Sequence, residues 1–88
     1  MNKEVAIKEI RIIEEIGVFP VARSQAKRLY KQFECVGEVI LDFEDISDMG
    51  QGFAHELFVV YGSNHPEVKL TTINESESVK RMIYHVTH

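Results

Sequence analysis

Between Val5 and Ile16 the apolar positions fit two templates at once. Ile10 and Ile12 alternate with Glu9 and Arg11 as in a strand, while Val5, Ile12 and Ile16 line one side of a helix. The excess of β-branched residues favours the strand, which Gly17 breaks. Val18 to Val21, with Pro20 inside, reads as a short edge strand or an extended loop. From Ala22 to Phe33 the pattern changes period: Ala26, Leu29, Tyr30 and Phe33 form one apolar face of a helix that ends before Gly37. Val39, Ile40 and Leu41 then make an uninterrupted apolar run inside Glu38 to Phe43. That run is too short for a helix and typical of a central strand covered on both faces.

After an acidic loop, Phe53, Ala54, Leu57, Phe58 and Tyr61 restore helical spacing over Gly50 to Tyr61, with a stop expected at Gly62 and the following Ser63, Asn64, His65 and Pro66. Val68 to Ile73 reads as a strand, Val68 and Leu70 on one side and Lys69 and Thr71 on the other. Asn74, with Glu77 three residues on, predicts a capping box for a last helix whose buried stripe is Val79, Met82, Ile83 and Val86. Strands alternating with helices in this way predict an α/β fold of order β(β)αβαβα: a small mixed or mostly parallel sheet with about three helices, joined by right-handed crossovers.

With 88 residues, no repeat and no linker rich in Pro, Gly or Ser, residues 1–88 read as a single domain. The single Cys35 excludes an internal disulfide framework and suits a reducing compartment. No apolar run approaches a membrane span, and Met1 to Ile16 carries too many charges for a signal peptide, so the expected location is cytoplasmic. The net charge of −4 conceals an asymmetry: residues 1–33 hold seven Lys or Arg against four Glu, and residues 34–88 hold three against ten Asp or Glu. Such a dipolar chain is poorly suited to broad phosphate binding.

The run Val39 to Ile46 followed by Gly50-Gln-Gly-Phe-Ala-His-Glu-Leu-Phe58 resembles the STAS-like domains, distant relatives of bacterial anti-sigma factor antagonists. Arg23 to Leu29, and His65-Pro66 with Asn74, are similar to that group's pattern as well, so the resemblance covers most of the chain from about Ala22 onward. It implies a regulatory, non-catalytic protein-binding module of bacterial signal transduction or transcription control. The implied partners are an ATPase of histidine-kinase type or a helix-turn-helix regulator, with no cofactor. Two positions depart from the pattern. Antagonists carry a phosphorylatable serine in an Asp-Ser-Ser-Gly turn at the start of the helix after the central strand, where this chain has Gly50-Gln51-Gly52. Gln51 has no hydroxyl to phosphorylate, although Ser47 lies nearby. Ala22 stands where relatives often have a Ser or Thr cap, a loss of typically about 1 kcal/mol unless Ser24 or a neighbour substitutes.

The expected partner-binding residues are Asp45, Ser47, Asp48, Gly50, Gln51, Gly52 and His55. In open α/β sheets, loops at the carboxyl ends of strands run into helix N-termini with unpaired N–H groups, and Gln51 can hydrogen-bond in two directions. The competing reading is that Gly50 and Gly52 only permit a tight packed turn. Glu44, Asp45 and Asp48 lack the alternate spacing of a calcium loop, so no metal site is expected. Arg23, Lys27 and Lys31, with Arg28 beside them, form a basic stripe, a possible second surface. It is read as a solvated face, with nucleic-acid contact as the alternative and an acidic protein as another user. His55, His65, His85 and His88 form no zinc pattern, Cys35 has no nucleophile partner at a known spacing, and no catalytic motif is present. Self-association, through an edge strand near Val18 or an exposed apolar face, is the third class of function.

Overall fold

The computed structural model describes residues 6–33 and 36–88, so the readings placed on Val5 and on Cys35 lie outside the described residues. Three strands form where alternation and β-branching predict them: β1 (Ile7–Arg11), β2 (Glu38–Asp42) and β3 (Lys69–Ile73). All pair parallel in the order β1-β2-β3, with Ile10, Leu41 and Thr72 in one row and Arg11, Asp42 and Ile73 closing the carboxyl end in another. The described strands contain no antiparallel pairing. The ambiguity over Val5 to Ile16 resolves into both templates in turn: the strand stops at Arg11, and a single helical turn α1 (Ile12–Glu15) follows at once. Val18 to Val21 is extended loop, not an edge strand.

The remaining helices follow the predicted faces. In α2 (Arg23–Tyr30), continued by a 3₁₀ turn over Lys31–Phe33, the buried residues are Ala26, Leu29 and Phe33, with Tyr30 half-buried. Helix α3 runs through Gln51–His55, a wider π-wound segment Glu56–Tyr61 and a last turn Gly62–Asn64. Gly62 therefore does not stop this helix. Its φ of −59° is ordinary helical geometry, and the stop comes at His65, whose helical conformation is disfavoured by the ring of Pro66. Helix α4 (Glu77–Thr87) is capped by Ser76 and not by Asn74: the Ser76 hydroxyl accepts the Val79 N–H at 3.1 Å. Asn74 has a positive φ of 59°, the left-handed region that Asn tolerates, and its side chain is used elsewhere.

Because each crossover steps one strand in the same direction, right-handed connections place α2 and α3 on the same face of the sheet, and α4 packs on α3 in that layer. The result is two layers around one core, in which Ile10, Val39, Leu41 and Phe43 meet Leu29, Phe53, Leu57 and Val79. The expectation that β2 is covered on both faces is half right: Val39 and Leu41 are fully buried, while Ile40 on the other face is only partly buried and its neighbour Ile7 is 60% exposed. Leu41→Ala is therefore expected to cost about 2–5 kcal/mol, and Ile40→Ala less than half of that. Urea unfolding of the two variants checks the difference.

Candidate functional site

Loops leave the carboxyl end of the sheet at three adjacent points, and buried Asp42 at the end of the central strand ties two of them together. Its Oδ1 accepts the Glu44 N–H at 2.9 Å and the Asn74 side-chain amide at 3.0 Å. These two bonds, the Asn74 bond foremost, hold the carboxyl below the ordinary aspartate range, against the opposing effect of burial. On the outer side Arg11 bonds Glu14 at 2.8 Å and Glu44 at 3.4 Å, joining the β1 end to the same loop.

The loop from Glu44 to Gly50 is pinned from α4 as well. The Ser76 hydroxyl donates to the Ser47 carbonyl at 2.9 Å, and Asp48 Oδ1 accepts from the Ser78 hydroxyl at 2.7 Å and from the Met49 N–H at 2.8 Å. The Ser78 bond, then the Met49 bond, lowers the Asp48 pKa. Ile46 and Met49 point into the core, while Glu44, Asp45, Ser47 and Asp48 are exposed. Asp45 has a φ of +65°, in the left-handed region that Asp tolerates.

A third segment completes the edge. The Pro20 carbonyl accepts the Gly50 N–H at 2.8 Å and the Val21 carbonyl accepts the Phe53 N–H at 3.0 Å, so the loop before α2 satisfies two of the orphan donors at the start of α3. A Cβ at residue 50 would sit 2.8 Å from both the Val21 Cα and its carbonyl oxygen, closer than packing allows. At residue 52 the nearest atom would be 3.4 Å away. Gly50 is thus needed for an approach of the chain to itself. The same loop is fixed from α2: Gln25 Oε1 accepts the Val21 and Ala22 N–H groups, each at 2.8 Å. Gln25 is the neighbour that compensates for Ala22, making one half of a capping box, and Ser24 is not the cap. With its backbone held, the loop displays Val18, Phe19 and Val21 to solvent, Phe19 at 67% exposure.

Beside this edge Glu56 is buried at the start of the π-wound segment and accepts the Tyr30 hydroxyl at 2.9 Å and an Arg23 N–H at 3.4 Å. Burial and the Glu56 bond raise the Tyr30 pKa. Arg23 also lies 3.1 Å from His55 Nδ1. Of the expected binding residues, Asp45, Ser47, Asp48, Gly50, Gln51 and Gly52 come together on one edge, and Gln51 is exposed at the first position of α3. His55 is half-buried against Arg23, which leaves the basic stripe to join it. Lys27 and Lys31 remain exposed, one and two turns further along. Among the described residues no group of three His, Cys, Asp or Glu could hold a metal ion, and no helix is long and apolar enough to cross a membrane.

Sequence reasoning left Val18 to Val21 between an edge strand and an extended loop, because an apolar run next to Pro20 fits either. It missed Glu56, which lies three residues after Phe53 and so on the buried face of α3. A heteropolar pattern within a predicted helix face was the one available signal for Glu56.

The family model for the STAS-like domain of unknown function (DUF4325) matches residues 25–80. No curated protein and no solved structure matches the chain.

Gly50→Ala is expected to destabilise the fold by about 1–3 kcal/mol through overpacking against Val21, whereas Gly52→Ala stays within about 0.5 kcal/mol of wild type; thermal unfolding of both checks this. A second expectation concerns acid. The folded-state pKa of Asp42 lies below its unfolded value, so its contribution is fully present above the unfolded pKa, near 3.8, and is lost as pH falls through the lower folded value. Asp42→Asn should flatten the fall in stability below about pH 4, leaving the slope above pH 5 unchanged, as read by denaturant titrations across that range.

Proposed function

The chain belongs to the family of STAS-like domains of unknown function, and from that premise we propose that it is a non-catalytic regulatory module that binds a protein partner through the carboxyl edge of its sheet. The observation that carries this reading is the fixation of an exposed edge. Ser47, Asp48 and Gln51 sit on a loop tied by side-chain and backbone hydrogen bonds to β2, α4 and the loop before α2. A surface ordered before binding loses little further conformational freedom on binding, which suits recognition. A loop held by a rigid scaffold is also where binding residues usually lie.

The role of Gly50 does not oppose this. Its glycine character serves packing, and the packing is what presents Gln51 at the head of α3. A carboxamide in place of a serine hydroxyl makes this docking edge independent of phosphorylation at position 51, with recognition through the two hydrogen-bonding directions of the side chain. The partner class the family resemblance points to is an ATPase of histidine-kinase type or a helix-turn-helix regulator, acting in the bacterial cytoplasm.

Gln51→Arg is the suitable probe, since Asp48→Lys would break the bonds to Ser78 and Met49 and disturb the loop itself. In affinity capture from the native host read by quantitative mass spectrometry, Gln51→Arg is expected to lose at least about 90% of a specific partner, corresponding to a change of at least about 1.4 kcal/mol. Lys27→Glu on α2 should keep that partner. Equal capture by wild type and Gln51→Arg would refute the docking edge.

A further inference from the structure

The apolar group at this edge points to the chemistry of what docks there. Val18, Phe19 and Val21 are 53%, 67% and 53% exposed, and Phe19 and Val21 share a shallow depression with Asp48, Met49 and Gly50 beside the proposed docking loop. Exposed large side chains are usual singly, but three within four residues on a hydrogen-bonded loop form a patch of the kind that marks an interaction surface. Phe19 cannot withdraw by a loop movement without cost. The Pro20 and Val21 carbonyls are held by α3, the Val21 and Ala22 N–H groups by Gln25, and the Phe19 carbonyl by the Gln25 amide at 3.4 Å.

Charge around the patch decides between occupants. The segments that meet at this edge, residues 11–23, 44–55 and 74–81, carry seven carboxylates against four Arg or Lys, a net of −3. Arg11, Arg23 and Lys80 are each within ion-pair distance of one of the chain's own carboxylates, and Arg81 lines a separate depression with Gln51, Ser78, Met82 and His85 that Phe19 does not border. A second copy would bring two such acidic edges together. Its apolar contribution would be three side chains, far short of the roughly 800 Å² per partner of a stable interface. Nucleic acid and anionic membrane are repelled by the same carboxylates.

We infer that Phe19, flanked by Val18 and Val21, is the anchor of the docking edge and inserts into an apolar recess on a protein surface ringed by Arg and Lys, whose cations meet Glu44, Asp45 and Asp48. This rests on the docking reading above and names the partner's surface chemistry. A buried aromatic centre surrounded by a charged rim is the usual energetic anatomy of such contacts, the centre supplying affinity and the rim steering association.

The test uses isotope-labelled full-length chain and two helical amphipathic peptides of equal length, one of Leu and Lys and one of Leu and Glu. The Leu/Lys peptide is expected to shift amide resonances in residues 17–22 and 44–52. Phe19→Ser, which leaves the thermal midpoint unchanged because the side chain is exposed, should weaken that binding by about tenfold or more, as hot-spot residues do. Val18→Ser should weaken it less. Raising salt from low to several-fold physiological strength should weaken it further. Equal binding of the Leu/Glu peptide, shifts confined to other faces, or unchanged affinity in Phe19→Ser would each overturn the inference. With the captured partner, loss in Gln51→Arg but retention in Phe19→Ser removes the anchor and leaves the docking edge standing, while retention in both removes both.

Discussion

Everything at the carboxyl edge depends on how closely the Pro20–Val21 backbone lies against residue 50. Two hydrogen bonds draw the loop before α2 onto the start of α3, and they form only because position 50 has no side chain. Removing that approach would leave the first N–H groups of α3 without protein partners and the Val18 to Val21 loop without its anchor. The same contact therefore sets the start of α3, the position of Gln51 and the display of Phe19. Packing and presentation at this edge are two results of one contact.

Around that contact a set of polar side chains ties the loops to one another. Asp42 is the inner node, linking β2 to the loops after β2 and β3, and Asp48 is the outer one, linking the loop after β2 to α4. Ser76 does two jobs with one hydroxyl, capping α4 and donating to the Ser47 carbonyl. Arg11 closes the side at β1. Such a network costs entropy at folding rather than at binding, which favours recognition by a preformed surface. Beside the edge, buried Glu56 pairs with half-buried Tyr30, and Arg23 is recruited to it from the basic stripe.

The one-sided sheet follows from topology more than from composition. A parallel sheet usually has helices on both faces, but three strands taken in sequence order with right-handed crossovers collect the described helices on one side. The outer row then mixes Ile7, Ile40 and Ile73 with Glu9, Arg11, Glu38 and Lys69, and Glu38 is satisfied across the strands by the Thr71 hydroxyl at 2.7 Å.

Much of the fold was legible in the residues because it rests on local periodicity. The apolar stripes of α2, α3 and α4, the three strands and the α/β order all appear as spacing, and the Gly50 to Phe58 run carried the family. That Glu44 to Gly52 lies at the carboxyl edge of the sheet was legible too, since loops at the carboxyl ends of parallel strands are fixed by strand order. What only the tertiary structure decided are relations between segments distant in sequence. Those relations are the burial of Glu56 against Tyr30 and Arg23 of α2, the cap of α4 at Ser76 while Asn74 serves Asp42, and the continuation of α3 through Gly62. They also include the meeting of Val21 with Gly50 that holds an apolar run as an exposed loop. Periodicity records which side of an element is apolar. It does not record how near two backbones come, and at this edge that distance settles which residues face water.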